Sequence, residues 1–145
     1  MNKNIFIAED NPVNRELLRE LLETRGCFVR EACNGREALD MLKENIPDVL
    51  LLDLSMPVLD GYGTISEIRN DPRLATLPVL AVTAYAMRGD REKILNAGFD
   101  GYLSKPVEAS ALWAELARLE KKRGLSDQFS GEESRKKAGA AANGQ

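Results

Sequence analysis

The stretch Asp48-Val49-Leu50-Leu51-Leu52-Asp53-Leu54-Ser55-Met56-Pro57 decides the fold. Four consecutive aliphatic side chains, Val49 to Leu52, stand between two aspartates. Successive side chains on a strand point to opposite faces, so an unbroken apolar run must be covered on both. That is the pattern of a central strand in a parallel sheet, with helices above and below. A loop marked by Met56-Pro57 and Asp60-Gly61 comes next, then helix-spaced Ile65 and Ile68, ending near Asn70-Asp71-Pro72.

The same alternation extends in both directions. Upstream, Ile5-Phe6-Ile7-Ala8 is a short apolar strand. Asn11-Pro12 then pairs an N-cap with a proline at the first helical position. Val13, Leu17, Leu18, Leu21 and Leu22 form one helical stripe, closed by Gly26. Phe28–Cys33 is a more polar strand, suited to a place near an edge. Asn34-Gly35 opens a second helix with Ala38, Leu39 and Leu42 facing inward. Downstream, Pro78–Thr83 is a fourth strand. A helix follows from about Arg88 to Ala97, closed by Gly98, then a short strand, Gly101–Ser104. A last helix carries Leu112, Leu116 and Leu119 and is expected to end near Lys122 or Arg123. Five strand–helix units of this length require right-handed parallel crossovers. The fold class is α/β, an open doubly wound five-stranded parallel sheet of the flavodoxin type.

Composition narrows the function. The chain has 145 residues, the size of one domain, with 43% hydrophobic and 30% charged residues. Twenty Lys and Arg against 23 Asp and Glu leave a net charge of −3, which argues against a nucleic-acid partner. There is no histidine, so imidazole-based triads, imidazole metal sites and phosphohistidine carriers are excluded. Cys27 and Cys33, six residues apart, would lie about 20 Å apart on one strand, beyond the roughly 7 Å limit of a disulfide; both are expected to be reduced. No apolar run approaches a membrane span and no secretory leader is visible, so no membrane insertion and a cytoplasmic location are expected. Residues 1–123 are read as the folded domain. Residues 124–145, rich in Gly, Ser, Ala and charges, are read as a disordered tail.

In an open parallel sheet, ligands bind beyond the C-terminal ends of the strands. Those ends carry Glu9-Asp10, Asp53, Thr83-Ala84 and Ser104-Lys105-Pro106. Each alone has an ordinary explanation as a turn, cap or strand residue; their convergence on one rim does not. Three carboxylates brought together repel, and burial would force one to protonate. A hard divalent cation relieves that repulsion. Mg²⁺ suits carboxylate and water oxygens, whereas Zn²⁺ has neither histidine nor paired cysteines to hold it. An ammonium and a hydroxyl facing such a cation suit an anion with several oxygens, phosphoryl above all, and aspartate is a known phosphoryl nucleophile.

With Glu9-Asp10, Asp53 followed by Met56-Pro57 and Asp60-Gly61, Thr83-Ala84 and Lys105-Pro106 in this order, residues 4–122 resemble a response-regulator receiver domain, CheY-like, of two-component signalling. Thr83 lies 30 residues and Lys105 52 residues after Asp53, spacings that fit the family. Val82-Thr83-Ala84-Tyr85-Ala86-Met87 with Gly89-Asp90 resembles receivers that stand alone or belong to hybrid kinases. The resemblance implies a phosphoprotein carrying an aspartyl phosphate on Asp53, received from a histidine kinase or histidine phosphotransferase. It implies Mg²⁺ on Asp10, Asp53 and the Ser55 carbonyl, with Glu9 acting mainly through water. It gives Lys105, after a cis Lys105–Pro106 bond, and the Thr83 hydroxyl to the phosphoryl oxygens. Thr83 and Tyr102 become the switch pair. Ser55 and Tyr85 become positions that tune the phosphoryl lifetime, and a face of the fourth helix, fifth strand and fifth helix meets a downstream protein target.

Three rivals stand beside this. A Mg²⁺-dependent phosphohydrolase using Asp53 needs a second acid or base to resolve its intermediate, and Ser55 cannot supply one near neutral pH. A nucleotide or flavin domain wants glycines in the first strand–helix turn, where Glu9 and Asp10 would instead repel a phosphate. An unphosphorylated scaffold would not need the full set of acids, hydroxyl and ammonium. No output domain is expected after the fifth helix, and the protein is read as a signalling module rather than an enzyme.

Overall fold

The computed structural model describes residues 3–84 and 88–128. One unit, Met1–Ala111, holds the whole sheet; a second begins at Leu112. The elements in chain order are β1 (Asn4–Ala8), α1 (Pro12–Glu23), β2 (Phe28–Ala32), α2 (Gly35–Glu44), β3 (Val49–Asp53), α3 (Gly61–Asn70), β4 (Val79–Thr83), α4 (Arg88–Ala97), β5 (Gly101–Ser104) and α5 (Ala109–Gln128). All five strands are parallel, in the order β2-β1-β3-β4-β5. The all-apolar β3 is central and every one of its residues is buried; the more polar β2 is an edge.

Strand periodicity divides the core. Phe6, Ala8, Leu50, Leu52, Val79 and Ala81 point to one face, against Ala38, Leu39 and Leu42 of α2, Ile65 and Ile68 of α3 and Ile94 of α4. Ile5, Ile7, Leu51, Leu80 and Val82 alternate with them and are buried on the opposite face. The starts of α1, α2 and α3 are capped by side chains. The Asn11 side chain accepts from the Val13 and Asn14 N–H groups, Asn34 from Glu37, and Asp60 from Gly63. Gly26 and Gly98 reverse the chain after α1 and α4 at φ 79° and 113°, where a side chain would be strained.

Two expectations differ from the structure. The α1 stripe is only partly core: Leu18 and Leu22 are buried, whereas Val13 and Leu17 are exposed. Neighbouring positions on a helix are rotated by about 100°, so the row 13-17-21 flanks the row 18-22 instead of facing the sheet with it. And α5 runs to Gln128, past the expected end near Arg123. Gly124 lies inside the helix: it lowers helical propensity by about 1 kcal/mol but keeps its N–H, so alone it does not stop the chain as proline would. Of the tail expected over 124–145, residues 124–128 are helical and 129–145 lie outside the described residues. Cys27 is buried, Cys33 is exposed, and both are free. Among the described residues no helix is long and apolar enough to cross a membrane.

Candidate functional site

Parallel strands bring their C-terminal ends to one edge, and the strand order sets β1 beside β3, β3 beside β4 and β4 beside β5. Glu9 and Asp10 follow β1, Asp53 ends β3, Thr83 ends β4 and Lys105 follows β5. All five line one open cleft of about 900 Å³. Glu9, Asp53 and Thr83 are buried, and Asp10 is exposed. Carboxylate oxygens of Glu9, Asp10 and Asp53 lie within 4.8 Å of one another.

The close contacts are specific. The Lys105 Nζ donates to Asp53 Oδ2 at 3.0 Å and lies 3.0 Å from Glu9 Oε1. The Ser55 N–H donates to Asp53 Oδ1 at 3.1 Å, and the Asn11 N–H to Glu9 Oε2 at 3.1 Å. Glu9 Oε1 is fully buried, and its approach to Lys105 lacks hydrogen-bond geometry, so it accepts no hydrogen bond. A buried carboxylate oxygen left in that state is costly. Together with Asp10 and Asp53, Glu9 gives the cleft a set of carboxylate oxygens that suits a hard cation, bound directly or through water.

Electrostatics follow the geometry. Burial pushes the Glu9 carboxyl up to about 6; the Asn11 N–H and the Lys105 ammonium pull it down, and neighbouring Asp53 adds to the rise. For Lys105, burial acts to lower the ammonium, but the hydrogen bond to Asp53 and the contact with Glu9 outweigh it, and the net shift is upward. The lysine therefore stays charged between the two acids.

Of the remaining predicted positions, Ser55 lines the same cleft, and Tyr102 is half-buried on β5, packed against the core. Tyr85 lies outside the described residues. The Lys105–Pro106 bond is cis. Asp60 and Asp90 border the cleft too, as do Asn14, Tyr62 and Lys93, which no sequence motif marks. Lys93 Nζ sits 4.8 Å from the Tyr62 ring centroid, a cation–π contact joining α4 to the start of α3. No spacing rule connects positions 62 and 93; only the neighbouring placement of their helices does.

A buried aspartate at the tip of a central strand is thus paired with a lysine and accompanied by two further acids. Comparison with known proteins identifies the family. The family model for the response regulator receiver domain matches residues 5–117. The polar-differentiation response regulator DivK of Brucella anthropi is 41% identical over 107 residues, 74% of this chain and 87% of that one. The receiver domain of sensor histidine kinase PA1611 from Pseudomonas aeruginosa PAO1 matches at TM-score 0.76 and 36% identity, covering 82% of this chain and 98% of that one. That structure has a magnesium ion coordinated in its active-site cleft. Chemotaxis response regulator CheY4 of Vibrio cholerae matches at TM-score 0.77 and 25% identity, over 82% of this chain and 99% of that one. The chain belongs to the response-regulator receiver domain family.

Proposed function

We propose that this receiver domain accepts a phosphoryl group on Asp53 from a histidine kinase or histidine phosphotransferase. The observation that carries the reading is Glu9 Oε1, a buried oxygen without a hydrogen bond, beside Asp10, Asp53 and an ammonium. The donor set fits Mg²⁺: carboxylate oxygens of Asp10 and Asp53, the Ser55 carbonyl, and Glu9 through water. The bound ion would supply charge neutralisation for the incoming phosphoryl oxygens. Asp53 Oδ forms the new O–P bond as the donor's P–N bond breaks, and the imidazole leaves with the bonding pair. Lys105 exchanges part of its pairing with Asp53 for a phosphoryl oxygen, and the Thr83 hydroxyl donates to another.

Phosphorylation adds about −1.5 to −2 charge at neutral pH. Movement of Thr83 toward the new group makes room for Tyr102 to turn inward, biasing a two-state equilibrium of α4 and β5 that a downstream target reads. Ser55 and Tyr85 flank the path of attacking water and set the lifetime of the phosphorylated form. We place the limit of the receiver domain at residue 123, inside α5, and its location in the cytoplasm.

The test is incubation with Mg²⁺ and a small phosphodonor such as acetyl phosphate, read by intact mass. One phosphoryl group per chain, absent in Asp53→Asn and absent when Mg²⁺ is chelated, is the expected result. No labelling, labelling retained in Asp53→Asn, or multiple turnover of a third-party phosphate ester would overturn the reading.

A further inference from the structure

Arg15 lies on α1, one turn after its N-cap, and takes no part in the site's carboxylate contacts. Its Nη1 donates to the Glu9 backbone carbonyl at 2.9 Å and reaches the Asp10 carbonyl at 3.5 Å. Its Nε donates to Glu31 Oε1 of β2 at 3.0 Å, and the side chain is only 17% exposed. Glu31 stands opposite Ile7 in the β1–β2 register, and its other oxygen is held by Arg19. Arg15 thus spans from the edge strand to the peptide carbonyls of two adjacent acids.

We infer that Arg15 is a positioning residue for the metal site, a brace that fixes the Glu9–Asp10 backbone. This rests on the reading of the acidic cluster as a Mg²⁺ site. The reason is mechanical and electrostatic. Three carboxylates within 4.8 Å repel, and two of them are carried by the single β1–α1 turn, whose backbone must hold them together. The Glu9 N–H is tied to the Ala32 carbonyl at 3.0 Å, and Asn11 caps α1. Between those anchors, Arg15 supplies the side-chain donor to both acids' carbonyls. Hydrogen bonds from a charged donor are roughly twice as strong as neutral ones, and the guanidinium fork holds two directions at once. Glu31, paired on both oxygens, keeps that fork aimed.

Outer partners that orient metal ligands are worth about 10–100-fold in metal affinity. The experiment is calorimetric titration of Mg²⁺ alone into the full chain and into Arg15→Met and Arg15→Lys, with melting temperatures taken in EDTA. Arg15→Met is expected to weaken Mg²⁺ binding about tenfold while its EDTA melting temperature stays within a few degrees of the unaltered chain. Arg15→Lys, which can still donate to one carbonyl, should recover part of the affinity. Affinity of Arg15→Met within twofold of the unaltered chain overturns the inference. So does an equal loss in both variants accompanied by a large fall in the EDTA melting temperature, which would mark a purely structural role. If the unaltered chain binds no Mg²⁺, the reading of the acidic cluster falls, and the inference with it; if it binds and Arg15→Met matches it, the inference alone falls.

Discussion

Lys105 shows how one side chain serves two states. Its ammonium stands 3.0 Å from both Glu9 and Asp53, whose side chains are 1% and 3% exposed. Removing one partner of a buried ion pair costs about 3–5 kcal/mol, an exposed pair about 0–1. Lys105 is 23% exposed at the mouth of an open cleft, so it falls between. The loss is also limited, because Glu9, already pushed up to about 6, can protonate when the lysine is gone. Lys105→Met is therefore expected to destabilise the metal-free protein by about 2 kcal/mol at pH 7, measured by urea denaturation in EDTA. Millimolar Mg²⁺ should restore part of it, since the cation replaces the missing charge. A variant as stable as the parent in EDTA would mean that the acids need no partner.

At the scale of the elements, the tight joint is β3 to α3. A Cβ on Gly61 would stand 2.6 Å from the Asp53 carbonyl and 2.7 Å from Leu54 Cα, backbone atoms that cannot rotate away. The Asp60-Gly61 pair thus lets α3 begin directly against the tip that carries Asp53. Gly61→Ala should destabilise by about 1–3 kcal/mol, as overpacking does, and lower phosphoryl labelling of Asp53; an unchanged melting temperature would refute the joint. A second brace ties α1 to β2. Glu31 is held below the ordinary glutamate range, chiefly by Arg19 and then by Arg15. A carboxyl depressed on folding adds stability above its unfolded value, and that stability disappears as pH falls through its folded value. Glu31→Gln should cost about 0.5–1 kcal/mol near pH 7, and the gap between the two proteins should close as pH is lowered below the ordinary value of 4.5. A gap that persists in acid would assign the loss to packing.

These joints also mark what the sequence could convey. The apolar run of β3, the Asn11-Pro12 and Asn34-Gly35 helix starts and the acids at strand tips are local patterns, and each one lies where its pattern predicts. The orientation of Val13 and Leu17 depends on which helical row meets the sheet, which the spacing of five apolar residues leaves open. Arg15 and Glu31, and likewise Tyr62 and Lys93, meet only through the register and neighbour order of elements distant in sequence. Nothing at those positions differs from an ordinary charged surface until the strands are aligned.

Across the whole molecule, the site draws on four of five strands, so ligand binding and global stability are linked. A cation that binds the folded chain and not the unfolded one stabilises it by RT ln(1 + [L]/Kd), about 2.7 kcal/mol at a hundredfold excess over Kd. For a chain of this length that corresponds to a rise of roughly 5–10 °C in melting temperature. The shift must be separated from simple screening, because the chain is acidic, with net charge −3. Glu9 and Asp53 are buried, and buried charges are screened far less than exposed ones. Sodium chloride at matched ionic strength should therefore raise the melting temperature much less than Mg²⁺ does. Mg²⁺ should raise it in a saturable way, EDTA should reverse the rise, and Asp53→Asn should lose most of it. If sodium chloride reproduced the whole Mg²⁺ effect, the stabilisation would belong to general charge screening, and the three acids would not act as one cation site.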